Sequence, residues 1–232
     1  EITYGDWSSD VCSSDLGRHL GGLSSGGLGA TDIGNKAAIG GMARAFYGAL
    51  GRHYGQPESW MFEPSVAEAV FEYWIRDAQV PVFREHRLAG VKKQANRITE
   101  LLAENGNRFR ARMFIDATYE GDLLAAAGVA YHVGREANAR YDETLNGIHY
   151  GHPGHNFKVF VDPYVVPGRP SSGLLPGISG EPAGRQGAGD RCVQAYNFRL
   201  CMTDVAGNRR PFPKPAGYDP DRYTLLARYI NA

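Results

Sequence analysis

Apolar residues first settle into a regular rhythm between positions 36 and about 54. There Ile39, Met42, Phe46, Ala49 and Leu50 recur at helical spacing and mark one face of a helix. Pro64 followed by the capping-box pattern Ser65-Val-Ala-Glu68 predicts a second helix, which turns Val66, Val70 and Trp74 to the core and ends near Gln79. The period then changes. Residues 80–86 (VPVFREH) predict a strand, and residues 88–103 a β-meander in place of another helix. Asn105-Gly106 predicts a tight hairpin. The strand that returns from it, 108–115, alternates Arg108, Arg110 and Arg112 with Phe109, Ala111 and Met113, so one face is expected wet and the other buried. It runs into Asp116-Ala117-Thr118, and a short alanine-rich helix, 122–127, follows and is closed by Gly128. From 148 to 189 glycine and proline are frequent and long helices vanish, as in a loop-rich or β-containing insertion that shapes a cavity. A last helix is announced by Tyr218-Asp219-Pro220 and runs from Arg222 to Ile230, with the chain stopping inside it. The sum is an α/β protein.

The opening, EITYGDWSSDVCSSDL, has neither period and lacks the basic start and apolar core of a secretory signal. Residues 6–16 match one translated frame of a common short-read sequencing adapter. Residues 1–16 are therefore expected to be an adapter-derived scar, disordered and outside the fold. Setting them aside removes four acids (Glu1, Asp6, Asp10 and Asp15) and no base, which moves the formal charge from +0 to +4. So mild an excess gives no reason to expect nucleic acid or an anionic membrane as partner. Cys12 lies in the scar, and Cys192 and Cys201, nine apart, form neither a CxxC site nor a disulfide framework. No apolar run approaches the ~18 residues of a membrane span. A soluble protein is expected, cytoplasmic by default, with any signal peptide lost upstream.

Two motifs carry chemistry. GGLSSGGLG strings backbone N–H groups without side-chain obstruction and precedes a helix, which suits a phosphate or another electron-rich group; the plainer reading is a structural turn. The dinucleotide fingerprint G-x-G-x-x-G is absent, since Gly27-Leu-Gly29 is followed by Asp32 where the third glycine belongs. The second motif is the strand end Asp116-Ala117-Thr118 leading into a helix, placed where open α/β sheets bind nucleotides. Its plainer reading is an ordinary corner with Asp122 as N-cap. His149, His152 and His155 have metal-like spacing but sit among glycine and proline, as surface-loop histidines do, and no metal site is assigned. Arg199 and Cys201 are candidates for an anion clamp and a redox-active thiol. A hydrolase is disfavoured: there is no G-x-S-x-G elbow, and His19 near Ser24 and Ser25 lacks a triad.

Together GRHLGGLSSGGLGATDIG and MFIDATYEGDLLAAAG, in this order around a helix and a hairpin, resemble the FAD-dependent oxidoreductases of the two-dinucleotide-fold, glutathione-reductase-like group. The resemblance is nearest to its heterodisulfide-reductase-like and fumarate-reductase-like branches. It covers residues 17 to about 130 and continues more loosely through VDPYVVPGRPSSGLLPGI and QAYNFRLCMTD. It implies a Rossmann-like FAD-binding domain over 17–130, with its first β-α-β unit missing, and a partial substrate or cap domain over 131–232. It implies FAD as cofactor, a small-molecule substrate and electron transfer between the two, with the electron-transfer partner unassigned. Relatives carry iron–sulfur clusters, for which two cysteines cannot supply four ligands. By the same resemblance Gly21 and Gly22 lie along the ribityl and pyrophosphate region, Ser24, Ser25, Gly26 and Gly27 beside the isoalloxazine ring, and Asp116, Ala117 and Thr118 at the second strand-end contact. Asp15 falls near the place of the ribose acid, a role not carried over to a scar residue. Tyr119 departs from the glycine usual after Thr118 and narrows the approach to the cofactor. Lacking the first strand and turn, the chain as written is expected to be inactive, to bind FAD weakly or not at all, and to aggregate through an exposed sheet edge. The alternative to an enzyme is a carbohydrate- or surface-binding module on a flavoprotein-like fold.

Overall fold

The computed structural model describes the main chain of residues 2–3 and 13–14, and all of residues 18–151, 154, 156–194 and 199–232. The chain divides into two compact units, Glu1–Tyr131 with Tyr196–Ala206, and His132–Ala195 with Gly207–Ala232.

In the first unit, glycine decides where the first helix begins. The single helix expected from 36 breaks into a 3-10 turn, Lys36–Ala38, and helix α1, Gly41–His53. Between them Gly40 is extended and Gly41 takes φ +55°, a pairing of conformations that no regular helix accommodates. Met42 falls off the buried face as a result and is 76% exposed, while Phe46 and Leu50 are buried. Helix α2, Pro64–Asp77, starts with proline in its first turn and no side-chain cap. The expected capping box does not form. Ser65 lies inside the first turn, and the Glu68 carboxylate accepts the Leu20 N–H at 3.2 Å instead of reaching back along its own helix. Tyr54 takes over at this end: its hydroxyl accepts the Glu63 N–H at 2.8 Å.

The core lies between these helices. Phe46, Leu50, Phe62 and Ala67 are buried together, with Val66, Val70, Phe71 and Trp74 packed around them. Phe46 stacks on Phe71 at 4.8 Å and meets Phe62 and Trp74 edge-on. Gly51 allows the chain after α1 to fold back, since a β-carbon there would stand 2.5 Å from the Glu58 nitrogen. On the flank of this core Tyr47 stacks on Trp60 with ring centroids 3.7 Å apart, and Lys36 and Arg44 sit over the Trp60 ring.

The meander forms as expected. Strands β1, Ile2–Thr3, and β2, Ser13–Ser14, precede it in the chain, and β3, Val82–Phe83, is the short remnant of the strand expected over 80–86. Strands β4, Leu88–Gln94, β5, Arg97–Ala103, and β6, Arg108–Arg110, run antiparallel, in sheet order β1-β6-β5-β4. The β5–β6 turn uses Gly106 at φ +87°. β6 is shorter than expected and alternation ends with it: Phe109 is buried, but Met113 and Ile115 are exposed. Nor is the polar face simply wet. Glu100, 2% exposed, has the Lys92 ammonium 2.6 Å away and the Arg110 Nε 2.8 Å away, so the arginine face of β6 closes over a buried acid. Two stretches of the segment expected to be a disordered scar take strand geometry, β1 parallel to β6 and β2 parallel to β3. Such pairing joins main chain to main chain and makes no demand on side-chain pattern. The remainder of residues 1–17 lies outside the described residues.

Helix α3, Asp122–Ala126, ends as the sequence indicates, with Gly128 at φ +74°. Lys93 donates to the Ala127 carbonyl at 2.5 Å, placing a cation at the negative end of this helix.

The second unit is built of loops, as its glycine and proline content predicts. Arg135 pairs with Asp190 through two hydrogen bonds and across a β-bridge, and main-chain bonds join Ile148 to Ala188 and Gly187. Asp162 organises a turn by accepting the N–H groups of Tyr164 and Gly168. The final helix, α4, Thr224–Asn231, is tied to that turn by Arg228, which donates to the carbonyls of Asp162, Tyr164 and Val165 at 2.7 to 2.9 Å.

Candidate functional site

Residues 20–28 fold as consecutive tight turns. Gly21, Gly22 and Gly27 have φ of +103°, +55° and +122°, conformations that favour glycine. The Ser24, Gly26 and Leu28 N–H groups are bonded within the loop, to the carbonyls of Gly21, of Gly22 and Leu23, and of Leu23. These three amides are thus not aimed outward. The Ser25 hydroxyl donates to the Leu20 carbonyl, while His19 lies 3.0 Å from Glu68. A Ser–His dyad is accordingly absent here. The loop leans on α2, not on the start of α1: a β-carbon on Gly21 would strike the Phe71 ring at 2.5 Å, and Glu68 anchors Leu20.

The strand-end motif is a self-contained corner. Asp116 Oδ1 accepts both the N–H and the hydroxyl of Thr118, its Oδ2 accepts the Leu124 N–H, and the Thr118 hydroxyl in turn accepts the Gly121 N–H. These bonds to Thr118, foremost, hold the Asp116 carboxyl below the usual aspartate range. The N-cap is Gly121 in the left-handed region, not Asp122, which sits one residue inside the helix. Ala117 and Thr118 are exposed on the corner.

The fold brings these two motifs together. Leu23 donates its N–H to the Tyr119 hydroxyl at 3.0 Å across 96 residues of sequence, and a β-carbon on Gly22 would stand 2.6 Å from the same oxygen. Arg199 arrives at the other end of the loop, where its carbonyl would be 2.7 Å from a β-carbon on Gly27. Cys201 is exposed, near enough to Tyr54 to add to the rise in that phenol's pKa, which burial chiefly causes. Gly21, Gly22 and Gly27 are therefore needed by the loop's own packing. On the outer side Gly22, Leu23, Gly26, Ala117 and Thr118 are all exposed.

Among the described residues no cluster of histidine, cysteine and acids could hold a metal ion. His149 bonds Gln186 at 2.9 Å, and His152 and His155 lie outside the described residues, as do residues 195–198 of the second loosely similar stretch. Among the described residues no helix is long and apolar enough to cross a membrane.

A family model described as FAD dependent oxidoreductase matches residues 15–232. The chain belongs to this family. No curated protein and no solved structure matches it. Membership makes the protein a flavin-dependent oxidoreductase with a Rossmann-like α/β fold and FAD as its cofactor. The match runs through the glycine- and proline-rich second half, and the alternative of a carbohydrate- or surface-binding module on a flavoprotein-like fold finds no support. What the sequence did not disclose in this oxidoreductase is the part played by Tyr119. It stands beside Thr118 and reads locally as an obstruction; only its distant partner, Leu23, gives it a role.

Proposed function

We propose that the outer face of residues 21–27, joined to the corner at Ala117 and Thr118, is where this oxidoreductase receives its FAD. Gly21, Gly22, Ser24, Ser25, Gly26 and Gly27 supply the loop, and Ala117 and Thr118 the second contact. The observation that carries this reading is the Leu23–Tyr119 hydrogen bond, which makes one surface of two motifs far apart in sequence. Bound there, FAD supplies the hydride or electron exchange with a small-molecule substrate. The chain's own part is to bind and orient. The corner's internal hydrogen bonds keep Thr118 from moving, and Arg199 beside Gly27 offers a cation to an anionic substrate, with Cys201 two residues on. Three loop amides are already bonded internally, so the loop is rigid before any ligand arrives and loses little freedom on binding.

Titration of the purified chain with FAD, followed by flavin fluorescence, tests the reading. The chain is expected to come off the column colourless and to bind added FAD saturably but weakly. Ala117→Arg should abolish this binding, because the side chain is exposed on the proposed face and its replacement leaves the core untouched. Saturable binding that Ala117→Arg leaves unchanged would overturn the placement.

A further inference from the structure

We infer that Tyr119 is a positioning residue for the cofactor loop, a latch whose hydroxyl fixes the Leu23 main chain from the opposite side of the site. The inference rests on the placement proposed above and deepens it. Three observations carry it. First, the corner that bears Tyr119 is rigid without help from the loop: Asp116 binds the Thr118 N–H and hydroxyl at 3.0 and 2.7 Å, and Thr118 binds the Gly121 N–H at 2.9 Å. Tyr119 therefore projects from a fixed base. Second, Tyr119 is 82% exposed, so burial of apolar area does not account for where it lies; it meets the loop through the bond from Leu23 at 3.0 Å and the close approach to Gly22. Third, Gly22 is shaped to receive it, since at φ +55° and with the phenol oxygen 2.6 Å from the place of a β-carbon, any other residue would push the latch away. The tyrosine thus sets the height of the Leu23 peptide relative to Ala117 and Thr118, and with it the width of the surface on which FAD lies.

The test uses this chain with Tyr119→Phe and Tyr119→Gly, amide hydrogen exchange at Leu23, and FAD titration to saturation. Tyr119→Phe keeps the ring and removes only the acceptor. Exchange at Leu23 is expected to quicken about fivefold in both variants and FAD affinity to fall by about the same factor, the worth of one hydrogen bond. The visible spectrum of FAD at saturation should shift in Tyr119→Phe, which a loss of general stability would not produce. Gly22→Ala gives a second line: it should weaken binding in the wild-type background and much less in Tyr119→Gly, where the oxygen it strikes is gone. Tighter FAD binding by either tyrosine variant would show the phenol to be a plug and overturn the latch. So would unchanged exchange at Leu23 with FAD binding intact. Faster exchange in the variants, with no saturable FAD binding by the wild-type chain, would overturn the cofactor placement and this inference with it.

Discussion

Glu100 shows how little freedom a buried charge has. The carboxylate is in contact with Lys92 and Arg110, with Arg108 3.9 Å away, and the hydrogen bonds from Lys92 and Arg110 hold its pKa below the ordinary glutamate value. A group depressed in the folded state contributes stability that is fully present above its unfolded pKa, about 4.3, and is lost as pH falls through the lower folded value. Thermal unfolding across the acid range should therefore show wild type well above Glu100→Gln near neutrality, with the gap closing as pH falls below about 4. A gap that persists unchanged into strong acid would assign the role of Glu100 to packing alone. Asp190 obeys the same rule in the second unit, where the Arg135 guanidinium holds its carboxyl far below the usual range.

At the scale of elements, the α1–α2 pair depends on one aromatic ring and one glycine. Phe46 touches Phe62, Phe71 and Trp74, so Phe46→Ala should destabilise the first unit by about 3 to 5 kcal/mol in chemical unfolding, as large core truncations do. Ala95, in the β4–β5 turn, adopts φ +52°, which costs an L-residue roughly 1 to 2 kcal/mol. Ala95→Gly should raise stability by about 0.5 kcal/mol after the added freedom of the unfolded chain is subtracted, measured by the same unfolding curves. These elements also show what a sequence discloses. The meander, the Asn105-Gly106 hairpin and the stop at Gly128 were legible because turn residues and alternation act locally. The capping box was not, because Glu68 met a better partner in Leu20, 48 residues away. The long first helix breaks for a local reason, the adjacent Gly40 and Gly41, whose backbone freedom overrides the apolar rhythm. The glycine loop was legible as a loop, but its amide directions and its contacts with Phe71, Tyr119 and Arg199 depend on chain that folds against it from far along the sequence.

The whole molecule is two units, each with its own means of cohesion: an aromatic core in the first, and main-chain pairing with arginine clamps in the second. Arg228→Ala, which leaves three carbonyls without their charged donor, should destabilise the second unit by about 2 kcal/mol. Hydrogen exchange should quicken over residues 162–168 and α4 while the α1–α2 core keeps its protection; loss of protection in both would mean that the units unfold as one. The stack of Tyr47 on Trp60 has a consequence of its own. Two aromatic chromophores 3.7 Å apart, in a chain with three tryptophans, couple electronically, and their contribution to the near-ultraviolet dichroism should change when the stack parts. The protein therefore carries a native optical gauge on the flank of its core, and the assembly of α1 against the turn that follows it can be timed without a dye, a tag or a cofactor.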